Sequence, residues 1–118
     1  MNNKRLCFQW SVYLVALNEG ASDSVQQGLR PCICVSNDRN NTWSSIAQFI
    51  PLTSQIKNTL PMHYILLAND YKFLKTDSVV LTEQLTTCAM NKVVKFLGRL
   101  NDNDIENIKN CIKIEFDL

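Results

Sequence analysis

The chain has little that would make it flexible, metal-built or membrane-bound. Three glycines and three prolines among 118 residues are too few for a long Gly/Ser-rich or Pro-rich linker. There is one histidine, His63, and no Cys-x-x-Cys spacing of the kind that holds zinc, so neither a metal nor another cofactor is expected. The five cysteines, Cys7, Cys32, Cys34, Cys88 and Cys111, are scattered and odd in number. That pattern suits reduced thiols in the cytoplasm better than a disulfide framework. Twelve Lys and Arg against eleven Asp and Glu give a net charge of +1, which removes the basic excess of many nucleic-acid binders but leaves room for local patches. Residues 6–17 are apolar and follow Lys4 and Arg5, loosely like a secretory leader. Gln9 and Ser11 interrupt the stretch, no small-residue cleavage site follows, and it is shorter than the roughly 20 residues a membrane helix needs. It reads as a strand, with no membrane partner.

What is there is an ordinary globular composition, with 46% hydrophobic and 19% charged residues. The length fits a single domain over residues 1–118, large enough to bury a working core without staples. Residues 8–17 are rich in β-branched and aromatic types, and both alternating faces are largely apolar, which predicts a central strand. Asn18 to Gly28 is polar, holds two glycines, and forms a loop long enough to be functional. Further strands are predicted at 30–36, 46–52, 63–67 and 77–85. A turn at 37–42, a break at 57–61 and a turn or short helix at 69–76 separate them. Cys32 and Cys34 share one strand face, as two small buried residues. Many short strands at this spacing suggest a barrel or sandwich. The last third changes period. Residues 88–97 read as a short helix with Met90, Val93 and Val94 inward. After a cap at Asn101 or Asp102, Ile105, Ile108 and Ile112 recur on one face of a helix of about three turns. Asp104 and Glu106 stand in its first turn, where the helix dipole favours acids.

Four segments, in order, resemble the MazF/PemK family of toxin endoribonucleases over roughly residues 8 to 116. They are Gly28-Leu29-Arg30-Pro31 leading into an apolar strand and Asn37; Pro51-Leu52-Thr53-Ser54-Gln55; Asp77 to Gln84; and Leu97-Gly98-Arg99-Leu100 before the capped helix. Each is weak alone, and the four together are fairly specific. The resemblance implies a mostly β fold, a small SH3-like barrel of the CcdB/PemK type with a C-terminal α-helix, working as a homodimer. It implies the toxin of a type II toxin–antitoxin system, held in check by a small antitoxin protein. It also implies metal-independent, sequence-specific cleavage of single-stranded RNA to 2′,3′-cyclic phosphate and 5′-hydroxyl ends. The same fold serves gyrase-poisoning toxins, so a non-catalytic binding protein is the alternative.

The resemblance makes Arg30 and Thr53 the catalytic pair. The residue types suit the task. A guanidinium forks onto two phosphate oxygens and stays charged at any physiological pH. A threonine hydroxyl donates to a third oxygen or orients the attacking 2′-hydroxyl. For the base, His63 at a strand entrance reads as structural. Glu83, inside a matching motif, is the carboxylate candidate, with a partnership with Arg30 or a salt bridge beneath the groove as its alternative role. Asn37, Gln55, Gln84 and Lys57 are candidate RNA contacts, and Arg39 could join Lys57 on phosphates. The chain departs from the family where many members carry Gly-Asp and it has Trp10-Ser11. It departs again where an acidic residue precedes the Gly-x-Arg-Pro motif and it has Val25, and where a basic residue is replaced by Thr86.

Overall fold

The computed structural model describes residues 6–17 and 26–118. Seven strands run in the order β1 (Ser11–Leu17), β2 (Gly28–Cys34), β3 (Ile46–Thr53), β4 (His63–Leu66), β5 (Ser78–Leu81), β6 (Thr86–Ala89) and β7 (Val93–Arg99). A short helix α1 (Asp38–Trp43) joins β2 to β3, and a long helix α2 (Asp102–Phe116) closes the chain. The sheet order is β4-β5-β3-β2-β1-β7, with β6 added to β3. All pairings are antiparallel. The result is a mostly β sheet with a C-terminal helix, as expected, although the sheet stays open rather than closing into a barrel.

The alternation in β1, β2 and β3 explains their central place. Val12, Ile33, Ile50 and Leu52 point into one core, which also takes Ile105 and Ile108 of α2. Their neighbours Tyr13, Val15, Cys32, Cys34, Ala47 and Phe49 point the other way, into a second core closed by Met90 and Val93. Strands apolar on both faces must be covered on both faces, and these are. Cys32 and Cys34 share a face as the spacing predicted, buried as free thiols. Burial pushes both thiols up from their ordinary value, as it does those of Cys88 and Cys111.

The residues 88–97, read as a helix, are strand instead. Met90 and Val93 are buried, but from a tight turn and the start of β7, not from one helix face. Val94, which a helix would have turned inward, is 49% exposed. The i, i+3 spacing was a coincidence of two elements meeting one core. The expected turn at 37–42 is α1, capped by Asn37, whose Oδ1 accepts from the Asn40 N–H at 2.9 Å. The strand at 77–85 is shorter, ending at Leu81 before a tight turn at Thr82–Gln84. The loop 18–28 lies mostly outside the described residues, as does Val25. No helix among the described residues is long and apolar enough to cross a membrane.

Helix α2 runs 15 residues, a turn longer than read, and is capped by Asn101, whose Oδ1 accepts from the Asp104 N–H at 2.8 Å. Asp104 is the feature the sequence concealed. Rather than facing solvent at the helix start, its carboxylate is buried and accepts the hydroxyls of Tyr64 and Tyr71, each at 2.5 Å. The Tyr71 oxygen in turn accepts from the Asn101 N–H at 3.0 Å. This network ties the start of α2 to β4 and to the segment before β5.

Candidate active site

Gly28 opens β2 at φ +75°, a left-handed conformation that side chains resist, although nothing lies where a Cβ would go. The requirement is therefore one of backbone conformation, and it swings the chain so that Arg30 follows in the strand. Cys32 pairs with Pro51 across β2 and β3. Carried two residues further, that antiparallel register sets Arg30 across from Thr53. Thr53 is in turn paired with Val79 of β5.

These three strand ends surround a cleft of about 240 Å³ lined by Arg30, Pro31, Leu52, Thr53, Ser54, Phe73, Leu74, Lys75, Thr76 and Ser78. Both candidate catalytic residues thus reach one space. Arg30 is exposed, and its Nε donates to the Gln27 carbonyl at 2.9 Å. That bond fixes the guanidinium plane and leaves the terminal N–H groups for an anion. The Thr53 oxygen accepts from the Gln55 N–H at 3.2 Å, which leaves its own hydrogen free to be donated outward. Phe73 forms one wall, and its ring sits over Gly98: a Cβ there would lie 2.7 Å from the Phe73 Cδ2. The glycine of the fourth motif therefore shapes the cleft from behind.

The other candidates are placed elsewhere. Glu83 forms no ion pair with Arg30 among the described residues and does not line the cleft. Its Oε2 lies 2.7 Å from the Nε2 of His63. The Nδ1 of His63 accepts from the Leu60 N–H at 3.0 Å, so Nε2 carries the hydrogen and donates it to Glu83. The histidine and the carboxylate together hold the segment between β3 and β4 against the turn after β5. That same segment carries Gln55 and Lys57, both exposed. Gln84 accepts the Gln26 N–H at 2.8 Å, tethering the end of the long loop just before the Gly-x-Arg-Pro motif. Asn37 caps α1 and Arg39 lies in it, beyond the opposite end of β2 from Arg30. Among the described residues no three His, Cys, Asp or Glu side chains converge on a point that could hold a metal ion.

Sequence reasoning missed Phe73, Lys75, Thr76 and Ser78. Ser78 stands inside a motif that was read, so its signal was available. The others come from the segment before β5, which only the fold brings beside β2 and β3.

The architecture and the cleft define a small, mostly β fold with Arg30 and Thr53 on one cleft, and comparison gives its family. The chain matches the family described as PemK-like, MazF-like toxin of type II toxin-antitoxin system over residues 8–116, and it belongs to that family. It is 33% identical over 108 residues to an Endoribonuclease MazF of Staphylococcus saprophyticus, covering 91% of this chain and 88% of that one. The fold matches the crystal structure of MazF from Deinococcus radiodurans with a TM-score of 0.80 at 17% identity, over 97% of this chain and 99% of that one. It also matches a mycobacterial endoribonuclease in complex with its cognate antitoxin, with a TM-score of 0.76 at 19% identity, over 95% and 96% of the two chains.

Proposed function

We propose that the chain is the endoribonuclease toxin of a toxin–antitoxin pair and cuts single-stranded RNA by attack of a 2′-hydroxyl on the adjacent phosphate. In this transesterification the 2′-oxygen bonds to phosphorus as the P–O5′ bond breaks. The 2′-hydroxyl loses a proton, the 5′-oxygen gains one, and the products are a 2′,3′-cyclic phosphate and a 5′-hydroxyl. The developing charge sits on the phosphoryl oxygens, so the reaction needs fixed donors aimed at them. The observation that carries the reading is the convergence of Arg30 and Thr53 on one cleft, each held by a backbone contact and each with donors left over. Glu83, tied to His63, positions the segment that carries Gln55 and Lys57. Gln84 positions the other flank of Arg30.

The named activity of the staphylococcal relative supports the substrate class. The antitoxin in the mycobacterial complex supports a small protein partner for this chain. Exposed Val94 and Phe96 on the edge strand β7, and Ile114 and Phe116 on α2, supply apolar surface for a homodimer. The free, largely buried thiols support a reducing compartment such as the cytoplasm.

The test is incubation of the purified protein with a long mixed-sequence RNA in EDTA, beside Arg30→Ala, with mapping of the ends. Discrete cuts bearing cyclic phosphates are expected, slowed about 10²-fold or more in the variant, the scale for losing one oxyanion donor. An intact RNA with a folded protein would turn the reading toward a binding toxin.

A further inference from the structure

The Arg30 cleft contains a second cation that no motif announces. Lys75 lies on the segment before β5, across the cleft from β2, and lines the same wall as Thr76 and Ser78. The described lining of the cleft offers Arg30, Lys75 and hydroxyls from Thr53, Ser54, Thr76 and Ser78, and no carboxylate. The acid nearest in sequence, Asp77, is committed elsewhere: its Oδ1 accepts from the Ala68 N–H at 2.8 Å. The Ser78 hydroxyl donates to the Thr76 carbonyl at 3.1 Å, which further fixes the segment's course. The ion pairs among the described residues are His63–Glu83 and Lys109–Glu106, so Lys75 has no counter-charge there.

Two cations facing one concave surface without a carboxylate between them repel in the free protein. An anion bound between them relieves that repulsion. Arg30 and Lys75 come from opposite sides of β3, so one phosphate facing Arg30 and Thr53 leaves Lys75 beside the next stretch of the chain. We propose that Lys75 is a backbone contact for the RNA, holding a phosphate that flanks the scissile one, a role that rests on the ribonuclease reading. Lysine suits this task as a mobile point charge, whereas the scissile phosphate takes the planar fork of Arg30. Lys75 acts on binding and register, and it makes no contact with the reacting atoms.

The experiment uses a short single-stranded RNA made uncleavable by a 2′-deoxy nucleotide at the cut site, with binding measured across salt concentrations. The proteins are wild type, Lys75→Gln, Lys75→Arg and, as a control, Lys95→Gln on β7. Each phosphate contact to a single strand contributes about 0.7 to the slope of log K against log salt. Lys75→Gln is expected to bind more weakly and to lower that slope by about 0.7, while Lys75→Arg and Lys95→Gln keep it. With the cleavable RNA, Lys75→Gln is expected to raise KM and leave kcat within about twofold, the pattern of lost uniform binding. A slope unchanged in Lys75→Gln overturns the proposal, and so does a loss confined to kcat. If wild type itself fails to bind the strand, it is the ribonuclease reading that falls, and the assignment of Lys75 falls with it.

Discussion

Trp10 carries a conformation that its side chain should refuse. It stands at φ 66°, in the left-handed region that costs a residue with a Cβ about 1–2 kcal/mol. The structure supplies the compensation. The Trp10 N–H donates to the Cys34 carbonyl at 2.7 Å, its own carbonyl accepts from the Leu100 N–H at 3.0 Å, and the indole is buried beneath the Lys109 ammonium, 5.9 Å from the ring centroid. Trp10 therefore joins β2, the residue that follows β7, and α2 at one point. Trp10→Ala keeps the strained backbone and loses the ring, so a loss of about 3–5 kcal/mol is expected in urea unfolding. Trp10→Gly relieves the strain as it loses the ring and should be the milder of the two by about 1 kcal/mol. Equal losses would show that the backbone conformation carries no strain. At this scale Arg30 and Thr53 stood out because each stands in a short motif that carries the resemblance, and the structure sets both on one cleft. The partner of Glu83 was not legible, because a motif gives a residue's neighbours in sequence, not its partner in space, and that partner is His63.

Among the elements, α2 shows both the reach of pattern and its limit. The spacing of Ile105, Ile108 and Ile112 and the cap at Asn101 gave the helix and its buried face. Asp104 is a first-turn acid as read, but the hydroxyl partners that bury it were not legible. Only the fold brings Tyr64 and Tyr71 to it. Burial first, and then the Asp104 carboxylate, pushes the Tyr64 hydroxyl up to about 12, and the same two causes raise Tyr71. The unfolded value is about 10, below the folded one, so the folded state holds these protons more tightly. Their contribution to stability is complete below about pH 10 and is lost as pH rises from there toward the folded values. A urea midpoint that falls over that window is expected, with a shallower fall in Tyr71→Phe. Tyr71→Phe should also cost about 1–3 kcal/mol at neutral pH, because the buried carboxylate loses a donor. Superimposable pH profiles would remove Tyr71 from the latch. The strands β6 and β7 were lost to a helical reading for a related reason: a buried residue at i+3 fits either period, and only exposure of Val94 distinguishes them.

The whole molecule divides into a rigid double-faced sheet and a functional rim. Because β1, β2 and β3 are covered on both sides, the site can form only where strands begin and end. It is built from the start of β2, the end of β3 and the approach to β5, so strand ends and one connecting segment supply its side chains while packed strands hold its geometry. The number and spacing of short strands conveyed the β class. The order in which they pair, and hence the meeting of Arg30, Thr53 and Lys75, depends on long-range register that no local pattern encodes. In the proposed mechanism the RNA's own 2′-hydroxyl is the nucleophile, with Arg30 and Thr53 serving the phosphate it attacks. The most direct measurement compares an RNA oligonucleotide containing the cut site with the same strand carrying one 2′-deoxy nucleotide there. Both should bind alike, and only the all-ribose strand should be cut. Cleavage of the substituted strand at that bond would contradict the mechanism.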